Sequence, residues 1–198
     1  IIYTITFYLA FYFLPDIKGN IWILITIWHI YATLIIYIFS LLLKNSSLYD
    51  PFWSVAPIPI VLYMALNFEN SIEIQLLVLI PILFWGIRLT HNWLMGWDGF
   101  EHEDFRYVDL KNTNKIQAEI NNLFGIHLIP TLIVNFSLFP ISFILLNNIS
   151  PNIYLLLASI FTISAVILET ISDKQMRDFK SDPSNKDKTM KYGLWKYS

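Results

Sequence analysis

The chain has 198 residues, 56% of them hydrophobic, only 14% charged and none a cysteine. Soluble domains carry about 25% charged residues, so this chain cannot cover a water-facing surface, and its mean hydropathy of +0.53 agrees. The composition points to an all-α, multi-pass integral membrane protein; it excludes disulfides, thiolate metal sites and cysteine nucleophiles, and a net charge of −2 argues against a nucleic-acid partner.

A membrane helix needs about 20 mostly apolar residues. Six candidates follow in chain order: Ile1–Leu14, Ile21–Leu43, Phe52–Phe68, Ile74–Trp97, Leu123–Leu146 and Asn152–Ile171. The first is short and begins with Ile1 rather than methionine, which predicts that the chain starts inside a longer segment. Pro57 and Pro59 predict a kink or break in the third, because proline has no N–H to give to the helix. Pro130 and Pro140 interrupt the fifth. The sixth opens on Ser150-Pro151, a helix-start pattern.

Basic residues alternate along this series. Lys44 follows the second segment, Arg106, Lys111 and Lys115 follow the fourth, and seven lysines and arginines from Lys174 to Lys196 follow the sixth. The opposite connections hold only Lys18. By the positive-inside rule, the polar stretches 98–122 and 173–198 are expected to be cytoplasmic. The bilayer is then the protein's standing partner, and the whole chain 1–198 reads as a single transmembrane domain.

Several polar groups stand out against this background. Asp50, in Tyr49-Asp50-Pro51-Phe52-Trp53-Ser54, opens the third segment. It is either an acid favoured by the positive end of a helix or an acid facing a cavity, where irregular backbone is tolerated within a membrane. Arg88, His91 and Asn92 share one helical face, with Trp85 one turn earlier. Intramembrane ionisable groups mark functional sites by default, whereas an arginine near a helix end can also extend to the headgroups. His29 and His127, isolated in apolar surroundings, are expected to hydrogen-bond between helices.

The run Glu101-His102-Glu103-Asp104-Phe105-Arg106-Tyr107 interleaves rings with charge, which suits a planar or phosphorylated ligand. Its spacing matches no metal site. Glu169, Asp173, Arg177 and Lys180 form one stripe on a helix that continues out of the sixth segment. Such a mixed stripe is either a solvated, salt-bridged helix end or a surface for an anionic ligand with hydroxyl groups.

Four motifs in this order resemble the family of small membrane reductases allied to steroid 5α-reductases and sterol reductases. They are Tyr49–Pro57; Trp85-Gly86-Ile87-Arg88-Leu89-Thr90; Glu103–Tyr107; and Ser172–Phe179 followed by Gly193-Leu194-Trp195-Lys196-Tyr197-Ser198. The resemblance implies NADPH-dependent reduction of a C=C bond in a lipidic enone. It casts Asp50 and Trp85 as catalytic or substrate-contacting, and Arg88, Arg106, Tyr107, Glu169, Asp173, Arg177, Lys180 and Tyr197 as cofactor-binding, with no metal. In that family the Gly-Leu-Trp-x-Tyr-Ser run leads into further cofactor-contacting residues, so the resemblance implies a longer enzyme. Two alternatives remain open: a membrane methyltransferase using S-adenosylmethionine, of the isoprenylcysteine or phospholipid type, and a non-enzymatic membrane protein.

Overall fold

A computed structural model describes residues 1–12 and 20–197; Lys18, the end of the first predicted segment and Ser198 lie outside the described residues. All regular structure among the described residues is helical. The chain divides into two compact units, Ile1–Ser150 and Pro151–Ser198.

In the first unit α1 (Ile2–Tyr12) packs on α2 (Ile21–Leu43). Asn20 caps α2, its side-chain oxygen accepting from the Trp22 N–H at 2.9 Å. The helix ends at Lys44 in the left-handed region at φ 53°, where the N–H groups of Lys44 and Asn45 satisfy the last carbonyls. Ile25, His29, Ala32, Thr33, Ile36 and Ser40 form its buried face at helical spacing. Ala32 and Ile36 of this face pack with Ala10, Tyr49, Phe52, Ala56 and Ile126 to make the core.

After a short 3-10 turn at Ser46–Leu48 come α3 (Tyr49–Val55) and α4 (Pro57–Asn67). The third predicted segment is broken between Val55 and Pro57, as Pro57 and Pro59 predict, although Ala56 between the two helices keeps helical angles of φ −59° and ψ −36°. The prolines have no N–H to give to the carbonyls one turn back. Next, α5 (Ile72–Met95) is capped by Ser71 and carries Pro81 within it.

Residues 98–122 are not a plain loop. They hold α6 (Phe105–Lys111) and α7 (Lys115–Ile120), and the chain then winds through wide π turns over Asn121–Leu128 before α8 (Ile129–Ser137) and α9 (Phe139–Leu146). The fifth predicted segment therefore starts earlier than expected and bends at Leu138, with Pro130 and Pro140 each at the first turn of a helix.

The second unit is α10 (Ile153–Ser181) and the tail that folds back on its end. Asn152 caps α10 by accepting from the N–H groups of Tyr154 and Leu155, each at 3.1 Å. Beyond the apolar stretch the helix runs on through Asp173 and Arg177, as the stripe predicted. The Trp195 indole donates to the Ser172 carbonyl at 2.9 Å, and the Leu194 N–H donates to Gln175 Oε1 at 2.9 Å. Gly193 makes the preceding turn at φ 63°.

Four helices among the described residues are long and apolar enough to cross a membrane: Ile21–Leu43, Ile72–Met95, Lys115–Ser137 and Ile153–Ser181. Six such helices were expected. The difference falls on α1, which is 11 residues long, and on the α3–α4 rod, which the prolines divide into pieces of 7 and 11 residues.

Candidate functional site

The two histidines buried in the bundle bond between helices, as expected. His127 Nε2 meets Ser40 Oγ at 3.1 Å, and its Nδ1 meets the Asn122 carbonyl at 2.8 Å. His29 Nδ1 meets Asn135 Oδ1 at 3.3 Å. Between them Thr33, Thr131 and Tyr49 form a hydroxyl cluster with contacts of 2.8 Å. All eight of these residues are buried, and they hold α2 to the π turns and α8.

Against this closed seam stands an open cavity of about 420 Å³ at the mouth of α3 and α5. Asp50, Trp53 and Ser54 line it from α3; Leu89, Asn92 and Trp93 from α5; Asp104, Arg106 and Tyr107 from α6 and its cap. Close helix packing brings these elements together. Gly86 lets α5 approach α3 so closely that a Cβ there would lie 2.6 Å from the Ser54 carbonyl oxygen. One turn on, Ser54 Oγ and Thr90 Oγ1 meet at 3.0 Å.

Asp50 is the centre of the cavity's chemistry. The Tyr107 hydroxyl donates to Asp50 Oδ1, and the Trp93 indole is a weaker donor to the same carboxyl group. Burial pushes the Asp50 carboxyl up to about 6, with the Tyr107 hydrogen bond pulling the other way. Burial and the neighbouring Asp50 charge push the Tyr107 phenol above its ordinary range, so it stays a donor. An acid that changes protonation near neutral pH, inside a cavity, is the usual character of a general acid.

Arg106 sits at the rim. Asp104 holds its guanidinium with two bonds of 2.8 Å, and the group lies 5.8 Å from the Tyr107 ring centre. The pairing keeps Asp104 below the usual carboxylate range and raises Arg106. The side chain remains largely exposed, so the clamp fixes its direction and leaves a face available.

The α6 segment is itself tied down through Asn45, Ser46 and Ser47, which the sequence did not single out. Glu103 accepts from the Ser46 N–H at 2.6 Å and from Lys111 Nζ at 2.6 and 2.8 Å. Ser47 Oγ accepts from the Asp104 N–H at 2.8 Å, and Asn45 Nδ2 donates to the carbonyls of Phe100 and His102. The only sequence signal was the polar triplet Asn45-Ser46-Ser47, which reads as an ordinary turn.

The other expected site residues fall elsewhere. Trp85 packs on Trp53 with ring centres 5.7 Å apart, behind the cavity wall. Arg88 is half-buried on α5 and is not among the lining residues; of the Arg88, His91 and Asn92 face, only Asn92 is. Glu169, Asp173, Arg177 and Lys180 lie on α10 in the second unit, and Tyr197 is exposed beside Lys196, whose ammonium sits 4.6 Å from its ring centre.

The model of a protein family matches residues 36–198, a stretch that holds the four ordered motifs, the Asp50 cavity and the α10 tail. The chain belongs to that family, described as a protein of unknown function, DUF1295. No curated protein and no solved structure matches the chain.

Proposed function

We propose that this DUF1295 protein is an integral membrane oxidoreductase that reduces the C=C bond of a lipidic enone with NADPH. The observation that carries the reading is the half-buried Asp50 carboxyl, held by Tyr107 in a polar cavity at the end of apolar helices. DUF1295 is linked to steroid 5α-reductase-like proteins, in keeping with the resemblance carried by the four motifs.

The donor set suits the cofactor. Asn92, Asp98 and Asp104 offer partners for amide and hydroxyl groups, Arg106 offers one for phosphate, and Trp93, Trp97 and Phe105 present flat rings. Arg88 on α5 is proposed as cofactor-binding as well, and Trp85 supports the substrate wall through Trp53; in the second unit, taken by itself, Glu169, Asp173, Arg177, Lys180 and Tyr197 are proposed as cofactor-binding on the family resemblance. When bound, NADPH supplies a hydride to the β-carbon of the enone.

The chain's own residues do the rest. As the hydride arrives, the C=C electron pair moves toward the carbonyl oxygen. The protonated Asp50 carboxyl donates to that oxygen, and Tyr107 stabilises the carboxylate left behind. A solvent proton then reaches the α-carbon while the enol O–H proton returns to the Asp50 carboxylate, so one hydride and one proton are added in all. Arg106 orients the anionic donor at the rim.

In this reading 98–122 and 173–198 face the cytoplasm, the side from which the cofactor arrives. The third segment, Phe52–Phe68, and α1 join the four long helices to give six passes. The experiment is binding of NADPH and of S-adenosylmethionine to the purified protein, followed by NADPH-dependent reduction of a 4-ene-3-ketosteroid. NADPH binding with substrate-dependent oxidation is expected. Binding of S-adenosylmethionine alone supports the methyltransferase, and binding of neither refutes both enzyme readings.

A further inference from the structure

The second unit holds a cavity of its own, of about 530 Å³, between the end of α10 and the tail that folds back on it. Met176 lines it from α10, and Thr189, Met190, Lys191, Trp195 and Lys196 line it from the tail. Its size is that of a small-molecule site. Its chemistry is divided: two ammonium groups and a hydroxyl face it together with two thioethers and an indole. No carboxylate is among the lining residues. Lys196 is steadied from outside, its ammonium 4.6 Å from the Tyr197 ring centre.

Two bonds fix the height of this cavity along α10. The Trp195 indole donates to the Ser172 carbonyl, and the Leu194 N–H donates to Gln175 Oε1. Both acceptors lie just beyond the apolar stretch 153–171, in which Glu169 is the one charged residue. That stretch is about 28 Å long at 1.5 Å per residue, close to the roughly 30 Å of bilayer hydrocarbon. When α10 crosses a membrane, the cavity therefore stands at the level of the lipid headgroups. Tryptophan and lysine are residues that settle at this level.

The flank of the helix matters as much as the height. Leu168, Ser172, Gln175 and Phe179 follow i, i+4, i+7 and i+11 and so form one stripe. The tail covers its polar end, where Phe179 is buried and meets the Tyr192 ring. The apolar continuation is exposed at Leu168 and at Phe161, two turns earlier. A molecule seated in the cavity thus has an open hydrocarbon flank beside it. Asp173, Arg177 and Lys180 stand about 100° or more round the helix from the middle of this stripe, so they belong to a different face.

We infer that the cavity binds the headgroup of an anionic phospholipid, its phosphate held by Lys191 and Lys196 with Thr189 as a further donor, and its acyl chains lying along Leu168 and Phe161. Opposite charges draw such a lipid to basic residues at a membrane surface. Free phosphate or a nucleotide would meet the same ammonium groups but leave the apolar flank unused. A zwitterionic lipid would use the flank but bring its own cation beside the lysines. The inference concerns α10 and its tail alone and holds whichever reaction the Asp50 cavity performs.

The test is native mass spectrometry of the full chain released from nanodiscs of equal phosphatidylglycerol and phosphatidylcholine. Phosphatidylglycerol should be retained about 25-fold in preference, at about fivefold for each lysine. The pair Lys191→Gln with Lys196→Gln should erase that preference. The pair Lys186→Gln with Lys188→Gln removes the same charge from the tail outside the cavity and should leave most of it. All four side chains are exposed, so both variants should fold. Millimolar inorganic phosphate or NADPH should not displace the lipid. Equal retention of the two lipids, equal loss in the two variant pairs, or displacement by inorganic phosphate or NADPH would each overturn the inference.

Discussion

Asp50 and Glu103 are carboxylates fixed by the same polar segment, yet they are placed for opposite purposes. Glu103 receives a backbone N–H and two bonds from Lys111, so its hydrogen-bonding capacity is spent on holding α6 to the turn after α2. Asp50 has no cation bonded to it, receives a phenol instead, and lines a cavity. The difference shows how one scaffold spends one acid on holding structure while leaving another in a cavity, poised to exchange its proton. Saturation by strong donors makes a latch; burial with a weak donor makes an acid.

The largest test of this contrast is catalytic. Asp50→Ala should lower the proposed reductase rate by about a hundredfold or more, in line with loss of a general acid, with little change in thermal stability in detergent. Glu103→Ala should do the reverse. Leaving Lys111 and the Ser46 N–H without their acceptor should cost about 1–3 kcal/mol of stability, read as a lower melting temperature. If Glu103→Ala proved the more damaging to rate in a well-folded sample, the distinction between latch and acid would fail.

Protonation gives a second test. The Asp50 carboxyl binds its proton more tightly when folded, at about 6 against an ordinary 3.8. The folded state gains stability from this at low pH, and the gain is lost as pH rises through about 6. Reaction rate should fall along the same limb, because the donor must be protonated. Asp50→Asn should flatten both profiles, measured between pH 4.5 and 8, roughly a span centred on that transition.

Packing and positioning effects should be smaller. Gly86→Ala places a methyl group 2.6 Å from the Ser54 carbonyl oxygen and 2.9 Å from Ile58 Cδ1. The α3–α5 approach must then open at a cost of about 1–3 kcal/mol, and a second loss should appear in rate as the cavity wall shifts. The smallest effect is expected of Arg106→Lys. It keeps the charge but loses the two-point clamp from Asp104, so KM for NADPH should rise about threefold while kcat holds.

Much of this was readable from single stretches of sequence. Asp50 stood out because an acid beside a proline-rich apolar run has few ordinary reasons to be there, and Tyr107 because its rings alternate with charge. That the two meet was not readable, because 57 residues separate them and their contact depends on how α6 is tied to Asn45, Ser46 and Ser47. His29 and His127 were legible as interhelical bonders because hydrocarbon leaves a buried ring few alternatives. Pro57 and Pro59 were legible as the place where the third segment divides, because a missing N–H interrupts the helix even where the flanking angles stay helical. The long polar run before the fifth segment read as loop because its short helices, α6 and α7, bury no residue that a periodic pattern could reveal.

The wide turns at Asn121–Leu128 have a geometric consequence. Glu119 receives the Tyr37 hydroxyl of α2, and Asn135 faces His29 of the same helix. On an unbroken α-helix of 3.6 residues per turn, positions 119 and 135 would point about 160° apart, and only one of them could meet α2. π turns advance less per residue, and eight of them bring both positions into the same phase. The segment works as a vernier between two stretches of helix, and removing a single residue from it would turn everything beyond, Thr131 and Asn135 included, away from the helix it now grips.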